Sequence, residues 1–148
     1  MISLTLPYPV SSNRYWRTFM PKGFKAPVTT LSQEAKDYKR TVAWMCKEAG
    51  IRKPFTGRIE LTIKLYPKRP LDAAKRMRLD PETWDDTVQC IDLGNCEKVL
   101  SDALNGIAWV DDKKHRRIVL ERMEPDGDAR VEIVIREMAP ARVQEVLL

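Results

Sequence analysis

The sequence predicts an α+β fold, a small mixed or antiparallel sheet with two main helices on one face. Three features point to it. Segments near the start, middle and end of the chain alternate apolar and polar side chains at a period of two. Two longer segments, 30–48 and 92–105, repeat apolar side chains at helical spacing. At 148 residues the chain has the length of one domain, and burying about two thirds of its unfolded surface gives it a core without staples. One domain is expected over residues 1–148, with 137–148 a peripheral tail.

Ile2, Leu4 and Leu6 alternate with polar neighbours and read as a first strand, stopped by Pro7. Residues 9–28 are rich in Pro, Ser, Asn, Gly and Lys, and read as a loop or irregular hairpin turning at Pro21-Lys22-Gly23. Thr30-Leu31-Ser32-Gln33 fits a capping box that opens a helix to about Glu48, ended by Gly50. Its buried stripe is expected at Ala35, Tyr38, Val42, Met45 and Cys46. Gly57 to Tyr66 is a strand with Ile59, Leu61, Ile63 and Leu65 on one face, ended by Pro67. Residues 67–91 form a long connection, a length that in a compact domain usually signals function or mobility, with a short helix expected at Leu71–Met77. Asp92 to Asn105 is the second helix, closed by Gly106, with Cys96, Val99, Leu100, Ala103 and Leu104 on one face. Arg117 to Met123 is a further strand, and Val131 to Ile135 is its expected partner across the turn signal Pro125-Asp126-Gly127-Asp128.

The net charge of +5 is segregated along the chain. Residues 1–79 hold seventeen basic and five acidic side chains, whereas residues 80–112 hold nine acidic ones and a single basic one, Lys98. A basic body around one acidic block suits a polyanion handled at a metal site; the plainer reading is ordinary surface charge. No apolar run reaches the ~18–20 residues of a membrane span, and the N-terminus lacks the pattern of a secretory signal. Cys46, Cys90 and Cys96 follow no pairing pattern and suit a reducing cytosol, so a cytoplasmic protein is expected. The cysteines and the single histidine, His115, lack the spacing of a structural zinc site, so no zinc is expected. His115 lies among Lys113, Lys114, Arg116 and Arg117; these neighbours depress its pKa, and it reads as a solvated or phosphate-facing strand end.

On the wheel of the second helix, Asn95, Lys98 and Asp102 lie together opposite the apolar stripe. Asp92 sits at the N-cap or first turn, where its carboxylate accepts backbone N–H bonds. Two readings follow. In one, Asp92 is only a cap, Lys98 and Asp102 form an i, i+4 pair, and Asp111-Asp112 make a turn. In the other, carboxylates are gathered inside a basic envelope, as a Mg²⁺-dependent phosphodiesterase requires: Mg²⁺ takes hard oxygen ligands, activates water and offsets charge on the phosphoryl oxygens. A nearby lysine then contacts the scissile phosphate or the leaving oxygen.

Two stretches resemble the RusA family of Holliday-junction resolvases. Leu4-Thr5-Leu6-Pro7 through Ser12-Asn13-Arg14-Tyr15-Trp16 is similar to the family's opening strand and its Pro-then-Asn-Arg-Tyr segment. Asp92-Leu93-Gly94-Asn95-Cys96-Glu97-Lys98, through Asp102-Ala103-Leu104-Asn105-Gly106 to Asp111-Asp112, is similar to its Asp-Leu-Asp-Asn-x-x-Lys … Asp-Ala-Leu … Asp-Asp signature. The likeness extends over residues 1–136. It implies an endodeoxyribonuclease of phage or prophage type that uses Mg²⁺, with Mn²⁺ as substitute. It also implies a homodimer, whose two-fold symmetry suits a four-way DNA junction.

The resemblance implies Asp92, Lys98 and Asp112 as catalytic residues, with Asp92, Asp111 and Asp112 on the metal. Gly94 departs from the pattern, because the family has a second catalytic aspartate there. Asp85, Asp86 and Glu97 are candidates to supply the missing acid; the alternative is a non-catalytic junction-binding protein. Arg14, Arg17, Lys68, Arg69, Lys75, Arg76, Arg78 and Asn95 are expected to contact DNA. Tyr15, Trp16 and Trp84 either stack on unpaired bases or pack in the core.

Overall fold

The computed structural model describes residues 1–139. In chain order it runs β1 (Ile2–Pro7), a helical turn α1 (Ser12–Tyr15), β2 (Trp16–Phe19), β3 (Val28–Leu31), α2 (Gln33–Glu48), β4 (Arg58–Tyr66), α3 (Ala73–Leu79), α4 (Leu93–Leu104), β5 (His115–Arg122) and β6 (Arg130–Met138). A 3-10 turn, Asp112–Lys114, leads into β5. Of the tail expected at 137–148, Glu137 and Met138 belong to β6, and residues 140–148 lie outside the described residues.

The period-two pattern decides which face of the sheet is buried. Ile59, Leu61, Ile63 and Leu65 of β4, Val131, Ile133 and Ile135 of β6, and Leu4 and Leu6 of β1 all point to one side and are buried there. Against them pack Ala35, Tyr38, Val42 and Cys46 of α2 and Cys96, Val99, Leu100, Ala103 and Leu104 of α4. Each large apolar side chain so buried contributes about 1.5–3 kcal/mol. The predicted α+β class and the two helices over one sheet face are therefore what the chain forms. The opposite face is polar. Glu60 lies 3.1 Å from Arg136 and 3.5 Å from Arg117. The Arg136 hydrogen bond and the charge of both arginines hold its carboxyl below the ordinary range.

The main sheet is mixed, in the order β1-β6-β4-β5. β6 runs antiparallel to β1 and β4, and β5 runs parallel to β4. This corrects the expected pairing of the last two strands, which are not neighbours. The connection between them crosses the end of β4, where Arg69 N–H donates to the Gly127 carbonyl at 2.9 Å and Met123 N–H to the Leu65 carbonyl at 2.8 Å. The physical reason lies in composition. β6 carries three fully buried apolar residues and suits a central place, whereas β5 begins His115-Arg116-Arg117 and suits an edge, where charge blocks further pairing.

Smaller differences are local. β2 and β3 form a separate hairpin, and the turn expected at Pro21-Lys22-Gly23 is present, with Gly23 at φ +84°. Ser32, not Thr30, caps α2: its hydroxyl accepts from Ala35 N–H at 3.1 Å, while Thr30 belongs to β3. The short helix of the 67–91 connection spans Ala73–Leu79. That connection has a small core of its own, in which Ala73, Trp84 and Val88 pack with Met77. Arg122 fastens it to β5 by donating to the carbonyls of Asp85 at 2.9 Å and Val88 at 3.1 Å.

Candidate active site

α4 begins at Asp92 because that side chain satisfies the first turn. One carboxylate oxygen accepts Asn95 N–H at 2.7 Å, and the other accepts the Asn95 side-chain amide at 2.8 Å. A carboxylate offers about four lone-pair directions, so capping leaves capacity on both oxygens. Asp92 is also exposed. Its roles as cap and as ligand are compatible rather than exclusive.

The polar face of α4 meets α1 and the start of β2. Ser12 donates to the Asn95 side-chain oxygen. The Tyr15 hydroxyl donates to Asp102, which also lies 3.7 Å from the Lys39 ammonium. Asp102 is thus taken up by Tyr15 and Lys39, not by the i, i+4 partner on its own helix. Lys98 instead rests its ammonium 4.7 Å from the centroid of Trp16. Burial, and then Asp102, holds the Tyr15 proton far above the ordinary tyrosine range. Tyr15 and Trp84 are 0% and 5% exposed, so both pack in cores and neither is available to stack on DNA. Asn95, expected to contact DNA, accepts from Ser12 through its amide oxygen and donates to Asp92 through its amide nitrogen, and so orients the Asp92 carboxylate.

Asp111 and Asp112 emerge from a buried anchor. Ala108 and Trp109 are fully buried. Phe55 pins them, with its N–H donating to the Ala108 carbonyl at 2.9 Å and its carbonyl accepting Val110 N–H at 3.1 Å. From this anchor the Trp109 indole N–H donates to Asp112 Oδ1 at 2.7 Å. Asp111 accepts Lys113 N–H at 2.9 Å and opens the 3-10 turn. The Trp109–Asp112 hydrogen bond is a contact that sequence reasoning missed; the only hint was an indole donor three residues before the second aspartate.

His115 packs edge-on against Trp109, with ring centroids 4.4 Å apart. Its Nε2 is buried with no hydrogen-bond partner among the described residues. Burial lowers its proton affinity, opposed by the charges of Asp112 and Glu97. The expected direction of this shift holds, but the cause is burial and not the cationic neighbours. The charges acting on it come from two elements, Glu97 on α4 and Asp112 on the turn. Glu97 further accepts the Ser101 hydroxyl at 2.8 Å. Of the other candidates for the missing acid, Asp85 is half-buried on the connection and Asp86 is exposed there.

Gly94 is exposed, and a Cβ added there would meet only Asp92 Oδ1, at 3.4 Å. Among the described residues no group of three or more His, Cys, Asp or Glu side chains stands ready to hold a metal. The donor chemistry nevertheless fits Mg²⁺, which typically takes one or two carboxylates, several waters and substrate phosphate oxygens. Asp92 and Asp112 are exposed hard-oxygen donors, each oriented by a hydrogen bond. Donors of this kind suit an ion that keeps waters and phosphate oxygens rather than an all-protein cage.

The expected DNA contacts fall into two groups. Arg14, Lys68, Arg69 and Arg76 line a cavity of about 780 Å³ between the opening segment and the 67–91 connection. Arg17 lies on β2, 5.1 Å over the Phe19 ring, and Lys75 and Arg78 are exposed on α3.

The family model for Endodeoxyribonuclease RusA matches residues 7–136. The chain belongs to the RusA endodeoxyribonuclease family. No curated protein matches it. The matched range contains every site residue described above, from Ser12 to His115. The RusA family consists of junction-resolving endodeoxyribonucleases, so membership assigns the chain to nuclease chemistry on branched DNA. The two similar stretches meet in the fold: Ser12, Tyr15 and Trp16 contact α4 through Asn95, Asp102 and Lys98. No helix among the described residues is long and apolar enough to cross a membrane.

Proposed function

We propose that this RusA-family chain hydrolyses phosphodiesters at four-way DNA junctions with Mg²⁺, for which Mn²⁺ substitutes, and that it acts as a cytoplasmic homodimer. One observation carries the reading. Two exposed carboxylates, Asp92 and Asp112, are each held by hydrogen bonds, and the exposed Lys98 forms no ion pair among the described residues.

Asp92 and Asp112 would hold the ion, with Asp111 beside them and Glu97, Asp85 or Asp86 replacing the acid absent at Gly94. When bound, Mg²⁺ supplies an activated water and offsets charge on the phosphoryl oxygens. The chain's own residues do the rest. Asn95 and Ser12 fix the rotamer of Asp92, and Trp109 fixes that of Asp112, as orienting partners do for metal ligands. Lys98 is held on Trp16 by about 0.5–1 kcal/mol, little enough to be given up for a phosphate or a leaving oxygen. The cations around the cavity bind backbone phosphates and set the register of the DNA. Two-fold symmetry then places two sites on two strands of like polarity. The free thiols of Cys46, Cys90 and Cys96 suit a reducing compartment.

A second reading, a junction-binding protein that does not cut, draws support from Gly94 and from the lack of a ready-made three-acid cluster among the described residues. A synthetic four-way junction separates the two. The nuclease gives paired nicks with Mg²⁺ or Mn²⁺. Asp92→Asn, which keeps the cap, lowers nicking by more than the roughly 10–100-fold that loss of an orienting partner costs, and leaves junction binding intact. Tight, salt-sensitive binding with no nicks in either metal establishes the binder. No binding at low salt removes both.

A further inference from the structure

We infer that the cavity beside Asp92 seats one unpaired nucleotide of the DNA, its base against an apolar wall and its phosphates against a cationic rim. This rests on the nuclease reading and names a subsite of it. At about 780 Å³ the cavity lies within the roughly 300–1,000 Å³ of small-ligand sites. Its lining contains four cations and no acidic side chain, although Val88 to Ile91 of that lining lie within the acidic block 80–112. Arg14 and Arg76 are partly offset by Glu34 at 3.7 Å and Asp72 at 2.9 Å. Lys68 and Arg69 form no ion pair among the described residues; Arg69 reaches the Met77 sulfur at 4.0 Å, and its charge is felt by Asp126, which Arg130 holds.

The wall is what distinguishes this cavity from a plain phosphate groove. Tyr8, Pro9, Pro70, Leu71, Val88 and Ile91 supply it. Leu71 is fully exposed, an apolar side chain at the mouth of a cationic cavity that a base would cover. The Tyr8 hydroxyl accepts Ile91 N–H at 2.7 Å, which holds its ring in the wall. Burial pushes the Tyr8 proton up to about 12, so the hydroxyl stays neutral. Gln89 is exposed at the same wall and offers a donor and an acceptor to a base edge. Ile91 immediately precedes Asp92, so a nucleotide held here brings an adjacent phosphate to the carboxylate. Extrusion costs least where the base is already unpaired, as at an opened crossover.

The test uses four-way junctions carrying 2-aminopurine at one position at a time on either side of the crossover, bound without divalent metal. One position should brighten several-fold as its base leaves the stack. Leu71→Glu adds a negative charge at a fully exposed position, and Ala129→Phe fills the cavity; both should lose most of that rise while still binding the junction. Brightening at no position, on a junction that is bound and then cut when Mg²⁺ is added, overturns the subsite and spares the nuclease. A rise that persists undiminished in both variants also overturns it. Failure to bind or cut junctions at all takes down the nuclease reading and the subsite together.

Discussion

Asp92 and Asp112, the two carboxylates proposed to hold the ion, are both exposed, yet they are held by different means. Asp92 is fixed from within its own helix: its partners are the main chain and side chain of Asn95, three residues on. Asp112 is fixed from the core: its partner is the indole of Trp109, which is fully buried, pinned by Phe55 and packed against His115. The first arrangement depends on cap chemistry that any Asp or Asn supplies. The second depends on a large side chain whose removal disturbs the interior. Substitutions should therefore separate activity from stability on the Asp92 side and couple them on the Asp112 side.

The largest effect expected on that contrast comes from Trp109→Phe. Phenylalanine keeps an aromatic ring beside His115 and removes the N–H that orients Asp112. Nicking should fall by roughly 10–100-fold, the usual cost of losing an orienting partner. Stability should fall by about 1–2 kcal/mol from lost ring volume. Nicking rates on a junction, read beside a urea melt, check both. An unchanged rate with lowered stability would show that the indole serves only the core, and the two carboxylates would then differ in support but not in function.

The contrast also explains what the sequence made legible. The Asp92 cap, the α4 stripe and the alternation of β4 are written in neighbouring residues, so period and capping chemistry reveal them. The β5–β6 pairing failed because the choice of strand neighbour is a competition across the whole sheet. A Pro-Asp-Gly turn signal cannot report that β6, with its three buried apolar residues, takes the place beside β4. Tyr15 read equally well as a DNA-stacking or a core residue, because the helical turn that carries it under α4 is only four residues long. The cavity was invisible for the same reason as the Trp109 contact. Arg14 and Lys68 become neighbours only when the opening segment and the long connection fold against each other.

Gly94→Asp sharpens the Asp92 side and should have an intermediate effect. There is room for the side chain, since a Cβ meets only Asp92 Oδ1 at 3.4 Å. Replacing a helical glycine gains up to about 0.5–1 kcal/mol, and an acid in the first turn adds about 0.3–1 kcal/mol through the helix dipole; repulsion from Asp92 offsets part of this. A third carboxylate should lower the half-saturating Mg²⁺ concentration for nicking several-fold. A more stable protein with an unchanged metal requirement would place position 94 outside the metal site, and would leave Glu97 or the connection as the source of any further ligand.

The smallest effect concerns His115 and tests whether the Asp112 side is coupled to the core through ionisation. Burial, as the dominant influence, lowers its pKa from the ordinary value of 6.5, with Asp112 and Glu97 opposing. The unfolded chain therefore binds the proton more readily than the folded one. Stability contributed by the neutral imidazole is full above the unfolded value and is lost as pH falls from there through the folded value. His115→Phe keeps a ring against Trp109 and removes the titration. Between pH 7 and pH 5 the melting temperature of the variant should decline less steeply than that of the wild type, whose other carboxylates titrate alike in both proteins. Parallel profiles would mean that His115 takes up its proton without cost, through the opposing charges of Asp112 and Glu97, and that the anchor beneath Asp112 does not respond to pH.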